Sequence, residues 1–350
     1  MSFAMQLLES NKIPDWIIRN RIRSLLARRL RDEDRGDPQA QQLQLMALVR
    51  RLRASPIAIE TAAANEQHYE VPADFYLNVL GRNLKYSCAL FESFDVTQAA
   101  AGLDIAEARM LALTCERAQL RDGERILELG CGWGSLSLWI ASHFPHSQVT
   151  AVSNSRSQKL FIEARAAERG LSNLAVLTRD VNHLEFPLGS QFDRVVSVEM
   201  FEHMRNYEAL LARIALWMAP AATLFVHIFS HVRYAYPFEV RDESDWMAKY
   251  FFTGGIMPSD GLLQYFQRDL LLVDHWQVDG RHYQLTAEAW LQKMDARRQI
   301  ILPILCDVYG SEHASKWWVY WRVFFMSCAE LWGYRRGREW IVSHYLFQRP

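Results

Sequence analysis

The chain has 350 residues, of which 50% are apolar and 23% are charged, and its formal net charge at pH 7 is −1. These proportions are typical of a globular protein with a sizeable core, and they exclude a disordered or fibrous chain. A net charge so close to zero gives no overall field to attract nucleic acid, so we expect no nucleic-acid partner.

The N-terminal sequence and the cysteines bear on the cellular compartment. The start MSFAMQLLESNKIPDW lacks a charged segment followed by an apolar stretch, which a secretory signal would have. The apolar runs, such as residues 223–229, are too short to cross a bilayer. Five scattered cysteines suit a reducing compartment and form neither a disulfide framework nor a zinc site. We therefore predict a cytoplasmic protein with no metal site and no stable membrane insertion.

The first sixty or so residues predict helices. Apolar residues recur at helical spacing between Ile17 and Leu30, with arginines around them. A break at Gly36-Asp37-Pro38 precedes a second predicted helix over residues 41–53. The arginine-rich helix could make peripheral contact with a membrane, or dock on the core with its arginines in water. We assign residues 1–66 to an N-terminal helical extension and residues 67–350 to a core with cap insertions at about 231–268 and 286–338.

From about Leu111 onward, short β-branched runs alternate with helical segments. The predicted strands are residues 125–129, 148–153, 174–178, 194–198 and 223–229, and the helices between them are residues 135–143, 157–169 and 207–218. This alternation predicts an α/β fold with a doubly wound, mostly parallel sheet of Rossmann-like type. Residues 271–276 and 340–346 could complete the sheet, with an aromatic-rich helical stretch from 286 to about 334 between them.

The strongest local motif is ILELGCGWGSL at residues 126–136. An apolar strand ends in Glu128, and Gly130, Gly132 and Gly134 form a turn into a helix, where unusual backbone angles and close approach of a ligand require glycine. A dinucleotide site and a simple packing turn are alternatives. S-Adenosylmethionine is favoured, because no basic group is placed to meet a pyrophosphate. Polar groups also follow later strands: Asp180 could accept from an adenine amino group, or simply cap a helix.

An acid–histidine cluster follows the fourth predicted strand directly. Glu199, Glu202 and His203 lie within five residues, at the edge of the sheet where ligands bind. Three titratable groups beside an apolar strand are costly unless they are solvated, paired or used in chemistry. The alternative is a capped helix start with solvated carboxylates.

Several motifs in order make the chain resemble the methyltransferase family of cyclopropane fatty acid synthases and plant coclaurine N-methyltransferases. These are ILELGCGWG, TAVSNSRSQ and FDRVVSVEMFEHM. The segments ANEQHYEVP, YFFTGGIMPS, VDHWQVDGRHY, VYWRVFF and EWIVSHYLF look most like the coclaurine N-methyltransferase branch. The resemblance runs from about Ile13 to the C-terminus. It implies a class I methyltransferase that uses S-adenosyl-L-methionine and releases S-adenosyl-L-homocysteine, and it suggests a homodimer.

The resemblance also implies which residues hold the donor. Tyr86 and Ser87 would contact its methionine part, and Asn154 and Gln158 would lie near the ribose and adenine. The remaining donor residues would be Glu128, Gly130, Gly132, Asp180 and Val181. The second strand ends in Ser153-Asn154 rather than in an acidic residue, which leaves the ribose contact open.

For the acceptor, the resemblance implies N-methylation of a small cyclic or aromatic amine, similar to a tetrahydroisoquinoline. An amine arrives mostly protonated at neutral pH, since lysine-like amines have a pKa of about 10, so a base must remove the proton first. Glu199, Glu202 and His203 match the residues implicated in that branch. We assign Glu202 to positioning and His203 to the base, and the exchanged roles are the alternative. Phe252 could belong to the wall of the acceptor pocket.

The alternative reaction is methyl or methylene transfer to an unsaturated phospholipid acyl chain. In that branch a bound bicarbonate takes the proton, and its ligands would map to Cys88, Glu202, His227 and Tyr283. The resemblance places a small residue at position 199 in the lipid branch and glutamate in the alkaloid branch. An additional carboxylate suits a cationic acceptor better than an alkene.

Overall fold

Nine strands and twelve α-helices are present in the computed structural model, which describes residues 3–59, 71–187, 191–240 and 246–350. The helices are α1 (Phe3–Glu9), α2 (Asp15–Glu33), α3 (Pro38–Arg53), α4 (Ala73–Val79), α5 (Ala99–Arg117), α6 (Ser135–His143), α7 (Arg156–Glu168), α8 (Tyr207–Trp217), α9 (Trp246–Tyr250), α10 (Gly280–Ala296), α11 (Arg298–Tyr309) and α12 (Ser311–Gly333). The strands are β1 (Arg125–Leu129), β2 (Gln148–Ser153), β3 (Leu174–Thr178), β4 (Phe192–Val198), β5 (Met218–His231), β6 (Tyr236–Pro237), β7 (Ile256–Met257), β8 (Leu271–Val278) and β9 (Trp340–Gln348).

Seven of the strands form one sheet, in the order β3-β2-β1-β4-β5-β9-β8. The first five strands pair in parallel, while β9 runs antiparallel to both β5 and β8. The predicted doubly wound, mostly parallel sheet is therefore confirmed. The strand order reverses between β1 and β4, and ligands bind at such a switch point in open α/β sheets. The glycine turn after β1 and the acid–histidine cluster after β4 both lie there.

The largest differences from the predicted elements lie in the C-terminal half. The sequence predicts a helical stretch from 286, whereas α10 begins at Gly280, after Asp279 has capped it by accepting from the Arg281 N–H. That stretch is divided into α10, α11 and α12, with a break at Gly310, whose φ of +84° does not continue a helix. Strand β5 is also longer than predicted, because its first residues pair with the start of β4.

The three C-terminal helices carry the aromatic run into a buried core. Trp290, Trp321 and Phe325 have at most 1% of their surface exposed, and they pack with Phe75 and Tyr76 of α4. Each large apolar side chain buried in this way stabilises the fold by about 1.5–3 kcal/mol. Most of the aromatic run therefore packs in the core.

Helix α2 docks on this helical layer through ion pairs. Arg19 Nη1 lies 2.5 Å from Glu288 Oε1 and 3.0 Å from Glu330 Oε1, and Arg23 Nε lies 2.5 Å from Glu330 Oε2. These contacts dock α2 on the core, and Arg19 is mostly buried instead of lying in water. In the part of the chain described here, no helix has the length and apolarity needed to span a bilayer. The domain boundary predicted at residue 66, and most of ANEQHYEVP, lie outside the described residues.

Candidate active site

The glycine turn leaves the end of β1 with its backbone in the left-handed region. The φ angles of Gly130, Gly132 and Gly134 are +80°, +51° and +79°. A Cβ on Gly130 would lie 2.8 Å from Met200 Cβ, so the turn packs directly against the segment after β4. No atom lies within 4 Å of the position that a Gly132 Cβ would take. The open side of Gly132 lines a cavity, where a ligand can approach the backbone closely.

A cavity of about 120 Å³ joins the turn to the acid–histidine cluster. Its wall at the turn includes Tyr86, Ser87, Glu128, Gly130, Gly132 and Gln158. Its opposite wall includes Glu199, Glu202, His203, Phe252, Tyr283 and Trp332. The structure thus brings most of the predicted donor residues and all three predicted catalytic residues around one space.

The remaining predicted donor residues line a neighbouring cavity of about 90 Å³. Asn154, Asp180 and Val181 lie there, with Gln158 and His203 shared between the two cavities. Asp180 Oδ1 also accepts from the Asn182 N–H at 2.7 Å, so Asp180 caps the turn that follows it. Gln158 Oε1 accepts from Ser153 at 2.6 Å, whereas its buried Nε2 has no partner among the described residues. An unsatisfied buried donor facing a cavity suits a ligand with acceptor atoms.

A buried lysine beside the cavity was missed at the level of sequence. Lys85 is 2% exposed and its Nζ donates to Ser87 Oγ at 2.5 Å. Burial lowers the pKa of Lys85 to about 8, although nearby carboxyls including Glu199 and Glu128 favour its charged form. Burial likewise raises the pKa of Glu128 to about 7, while a hydrogen bond from Ser137 Oγ opposes that rise. The local signal was its position directly before Tyr86 and Ser87, which the resemblance assigned to the donor.

Glu199 has a backbone conformation that non-glycine residues rarely adopt. Its φ is +51°, and its N–H donates to the carbonyl of His227 on the neighbouring strand at 2.9 Å. Such a conformation costs on the order of 1–3 kcal/mol and persists where the surrounding structure imposes it, often at a functional site. The turn directs the Glu199 carboxyl into the cavity, where its side chain is 9% exposed.

Glu199 and Glu202 form a coupled pair of buried carboxyls. Burial raises the pKa of Glu199 well above its usual value, the adjacent Glu202 raises it further, and Lys85 opposes both effects. Burial raises the pKa of Glu202 to about 8. Two carboxyls so close together cannot both ionise easily, so the pair retains a proton near neutral pH. The alternative of a solvated helix start is therefore wrong, because Glu202 is only 2% exposed.

His203 lies at the edge of this pair. Its Nε2 is 3.9 Å from Glu202 Oε1, and its ring stacks on Phe252 with 6.3 Å between centroids and 11° between planes. The side chain is 24% exposed. His203 therefore connects the buried carboxyls with a more open part of the site.

The residues that the resemblance assigned to bicarbonate gather around Glu199. His227 Nε2 is 3.3 Å from Glu199 Oε1, and Tyr283 lowers the pKa of the Glu199 carboxyl. Glu202, which forms the carboxyl pair with Glu199, also belongs to this group. Cys88 is fully buried next to this group, with its Sγ donating to the Ala89 carbonyl at 3.3 Å. Burial keeps the Cys88 thiol protonated by raising its pKa.

A larger apolar cavity of about 770 Å³ lies between α2 and the helical layer. It shares Phe229, Phe252, Cys328 and Trp332 with the cavity that holds the carboxyl pair. Ile18, Ile22 and Leu25 of α2 cover its other side. An apolar group bound near Glu199 can therefore extend toward the N-terminal helices.

We expect the free energy of unfolding to fall as the pH rises from about 7 to 8. The pKa values of Glu107 and Glu202 are raised by burial to about 7 and about 8, and that of Glu199 is raised well above its usual value, so the folded state holds protons that the unfolded state has released. Stability is lost as these protons dissociate, on the order of 1–3 kcal/mol over that pH unit, and Lys85, whose pKa burial lowers to about 8, offsets part of the loss near pH 8. Urea unfolding at several pH values measures it.

The unfolding measurements must begin above about pH 6.5. Below that pH, buried histidines make the free energy of unfolding rise with pH, which is the opposite of the effect of the carboxyls. Burial lowers the pKa of His227 and His344 well below the usual value, so their unfolded forms bind the additional protons there. Glu107→Gln removes one contributing carboxyl outside the cavity and should flatten the decline. A free energy of unfolding that stays constant or rises from pH 7 to 8 would show that these carboxyls are ionised in the folded protein.

Comparison with known proteins gives consistent matches over the whole chain. A family model described as mycolic acid cyclopropane synthetase matches residues 58–334. The chain is 42% identical over 349 residues to (S)-coclaurine N-methyltransferase of Thalictrum flavum subsp. glaucum, covering 99% of this chain and 95% of that protein. It is 37% identical over 345 residues to (S)-coclaurine N-methyltransferase of Papaver somniferum, covering 98% and 96%. A crystal structure of coclaurine N-methyltransferase bound to N-methylheliamine and S-adenosylhomocysteine superposes with a TM-score of 0.93 at 39% identity, covering 99% of both chains.

Proposed function

We propose that this chain, which belongs to the mycolic acid cyclopropane synthetase family and is an S-adenosylmethionine-dependent methyltransferase, methylates the nitrogen of a small ring-containing amine. The observation that carries the proposal is the buried carboxyl pair of Glu199 and Glu202, which faces aromatic side chains in the cavity lined by the glycine turn. The whole-chain similarity to N-methyltransferases named for coclaurine, a benzylisoquinoline, supports the same acceptor class.

The turn side of the cavity suits the donor. Bound S-adenosylmethionine supplies an electrophilic methyl group on a sulfonium. The open face of Gly132 admits a ligand to the backbone, and the unsatisfied Nε2 of Gln158 can donate to it. Glu128 offers a buried carboxyl, and Ser87 and Lys85 offer polar groups at the other end. These groups would hold the donor with its methyl group directed toward Glu199, since alignment is the main requirement of a direct displacement.

The opposite side of the cavity suits a cationic amine. An ammonium group can donate to Glu199 and Glu202, and the faces of Phe252 and Trp332 can add cation–π attraction. We assign Glu202 to holding the ammonium group and His203, at the more open edge, to taking the proton away.

Glu199 helps to distinguish an amine acceptor from the lipid alternative. Its carboxyl lies among His227, Tyr283 and Glu202, the groups to which the resemblance assigned bicarbonate. A second anion in the same place would be repelled by Glu199 whenever that carboxyl is ionised. The 770 Å³ apolar cavity is large enough for an acyl chain as well as for the rings of an amine, so it does not favour either acceptor. Glu199 favours the amine.

The test is to incubate the protein with methyl-labelled S-adenosylmethionine and offer two acceptors side by side. One is a panel of tetrahydroisoquinolines with and without a benzyl substituent; the other is unsaturated phospholipid vesicles with bicarbonate. We expect label on nitrogen, and faster turnover of amines whose substituent fills the apolar cavity. Glu202→Gln should lose this activity while still binding S-adenosylhomocysteine. Label in the acyl chains, with none on any amine, would overturn the proposal.

A further inference from the structure

A chain of three contacts leads from the end of α5 to the acidic pair. Arg117 Nη1 is 2.8 Å from His344 Nδ1, and His344 Nε2 is 2.8 Å from His227 Nδ1. His227 Nε2 in turn lies 3.3 Å from Glu199 Oε1. The four residues come from α5, β9, β5 and the end of β4, so no sequence motif contains more than one of them.

The direction of every hydrogen bond in this chain follows from its first member. A guanidinium group donates and cannot accept, so His344 Nδ1 must accept and the ring proton of His344 lies on Nε2. His344 Nε2 therefore donates to His227 Nδ1, which leaves the proton of His227 on Nε2. Glu199 Oε1 lies 3.3 Å from that nitrogen. The argument needs neutral rings, and both histidines are 0% exposed, where burial holds the pKa of each well below its usual value.

We propose that Arg117 is a positioning residue for methyl transfer, which acts through His344 and His227 to present an N–H rather than a lone pair to Glu199. The inference rests on the proposed function in so far as Glu199 is one of the two carboxyls that receive the amine. Arg117 itself is partly buried and does not line the cavity.

The contact between His227 and Glu199 is the point at which the tautomer matters. Neither His227 Nε2 nor Glu199 Oε1 has a hydrogen-bond partner among the described residues, so the 3.3 Å contact between them is a close approach and not a completed hydrogen bond. A small shift of either side chain would complete this hydrogen bond, and contacts in an empty site often tighten when a substrate binds. An N–H here stabilises ionised Glu199, whereas a lone pair would repel the carboxylate and favour its protonated form.

Other groups that face Glu199 also affect its pKa. Glu202 raises its pKa, while Lys85 and Tyr283 lower it, and Cys88 and Cys328 lie nearby as neutral thiols. A change at Arg117 can reach Glu199 along the two histidines, through loss of the guanidinium charge, or through a general loss of structure. The tautomers separate the first of these routes from the other two, and Arg117→Lys keeps the charge.

The first measurement is the tautomer of the two histidines, read by NMR from long-range proton–nitrogen couplings in protein labelled with nitrogen-15 histidine. His227→Gln and His344→Gln assign the signals. We expect the Nε2–H tautomer for both rings in the unaltered protein, and the Nδ1–H tautomer in Arg117→Met, which keeps the aliphatic stem but has no donor. Arg117→Lys should restore the Nε2–H signals. This readout requires no turnover, so it stands even if no amine is methylated.

The second measurement is the pH dependence of kcat/KM for the best amine. Arg117→Met should shift the acid side of the profile upward by about one pH unit, which is about a tenfold loss at neutral pH that recovers on raising the pH. Arg117→Lys should stay close to the unaltered protein. Trp276→Leu is the matched control, since it removes the ring 4.9 Å beneath the guanidinium without touching the donor. It should not move the profile.

Unchanged tautomers in Arg117→Met would overturn the inference, and so would changed tautomers with an unchanged pH profile. A loss of rate that is equal at every pH and is reproduced by Trp276→Leu would mean that Arg117 only stabilises the fold. Absence of amine methylation by the unaltered protein, with the tautomers as expected, would instead count against the proposed function.

Discussion

Glu199→Gln is expected to lower kcat/KM for amine methylation by about 100- to 1,000-fold, the range over which an acid or base in the site usually contributes. Glutamine has nearly the same shape, so packing around the cavity is retained. It cannot carry a negative charge, however, and so it can neither hold an ammonium group by charge nor share a proton with Glu202. Initial rates with labelled donor measure the loss, and calorimetry with S-adenosylhomocysteine should show donor affinity within a few fold of the unaltered protein.

The same substitution should leave stability unchanged or raise it. Glu199 is a buried carboxyl beside another carboxyl, and replacing it by a neutral amide removes that repulsion. Glu33→Gln is a matched control for the loss of rate. Glu33 is a buried carboxyl of α2 that pairs with Arg29 at 3.4 Å and lies outside the cavities. It should leave the rate unaltered. An active Glu199→Gln variant, with more than half of the original rate, would remove Glu199 from the acceptor site.

Gly132→Val is expected to weaken binding of S-adenosylhomocysteine by about 10- to 100-fold or more, since each factor of ten corresponds to about 1.4 kcal/mol and left-handed strain alone costs about 1–3 kcal/mol. Gly132 has a φ of +51°, and the space beside it is open. A branched side chain there would resist the turn conformation and project into the space that the donor needs. Calorimetric titration of the folded variant measures the affinity.

Strain in the turn and obstruction of the donor can be separated by a second glycine. Gly170 also has a positive φ, +66°, with no atom within 4 Å of its ideal Cβ, and it follows α7 away from the cavities. Gly170→Val should therefore reduce stability by a similar amount without changing donor affinity. If Gly132→Val binds S-adenosylhomocysteine as tightly as Gly170→Val does, the turn is not part of the donor site.

The amino-acid sequence by itself determined the alternation of strands and helices, the glycine turn and the position of the acid–histidine cluster. These features are local: a glycine turn is recognisable within ten residues, and Glu199, Glu202 and His203 follow one strand. The parallel sheet then brings the ends of β1 and β4 together, because they are neighbours at the switch point. Local pattern and general topology were therefore enough to place both halves of the candidate site.

Only the tertiary structure decided which groups act on those residues. Lys85 gave a weak local signal, and Arg117 and His344 gave none, because a residue's burial and partners depend on strands and helices distant in sequence. The left-handed conformation of Glu199 depends on the hydrogen bond from its N–H to His227, and the docking of α2 depends on Glu288 and Glu330, far along the chain. Charge, tautomer and pKa are set by these long-range contacts, since they depend on what surrounds a group and not on the residues beside it in the chain.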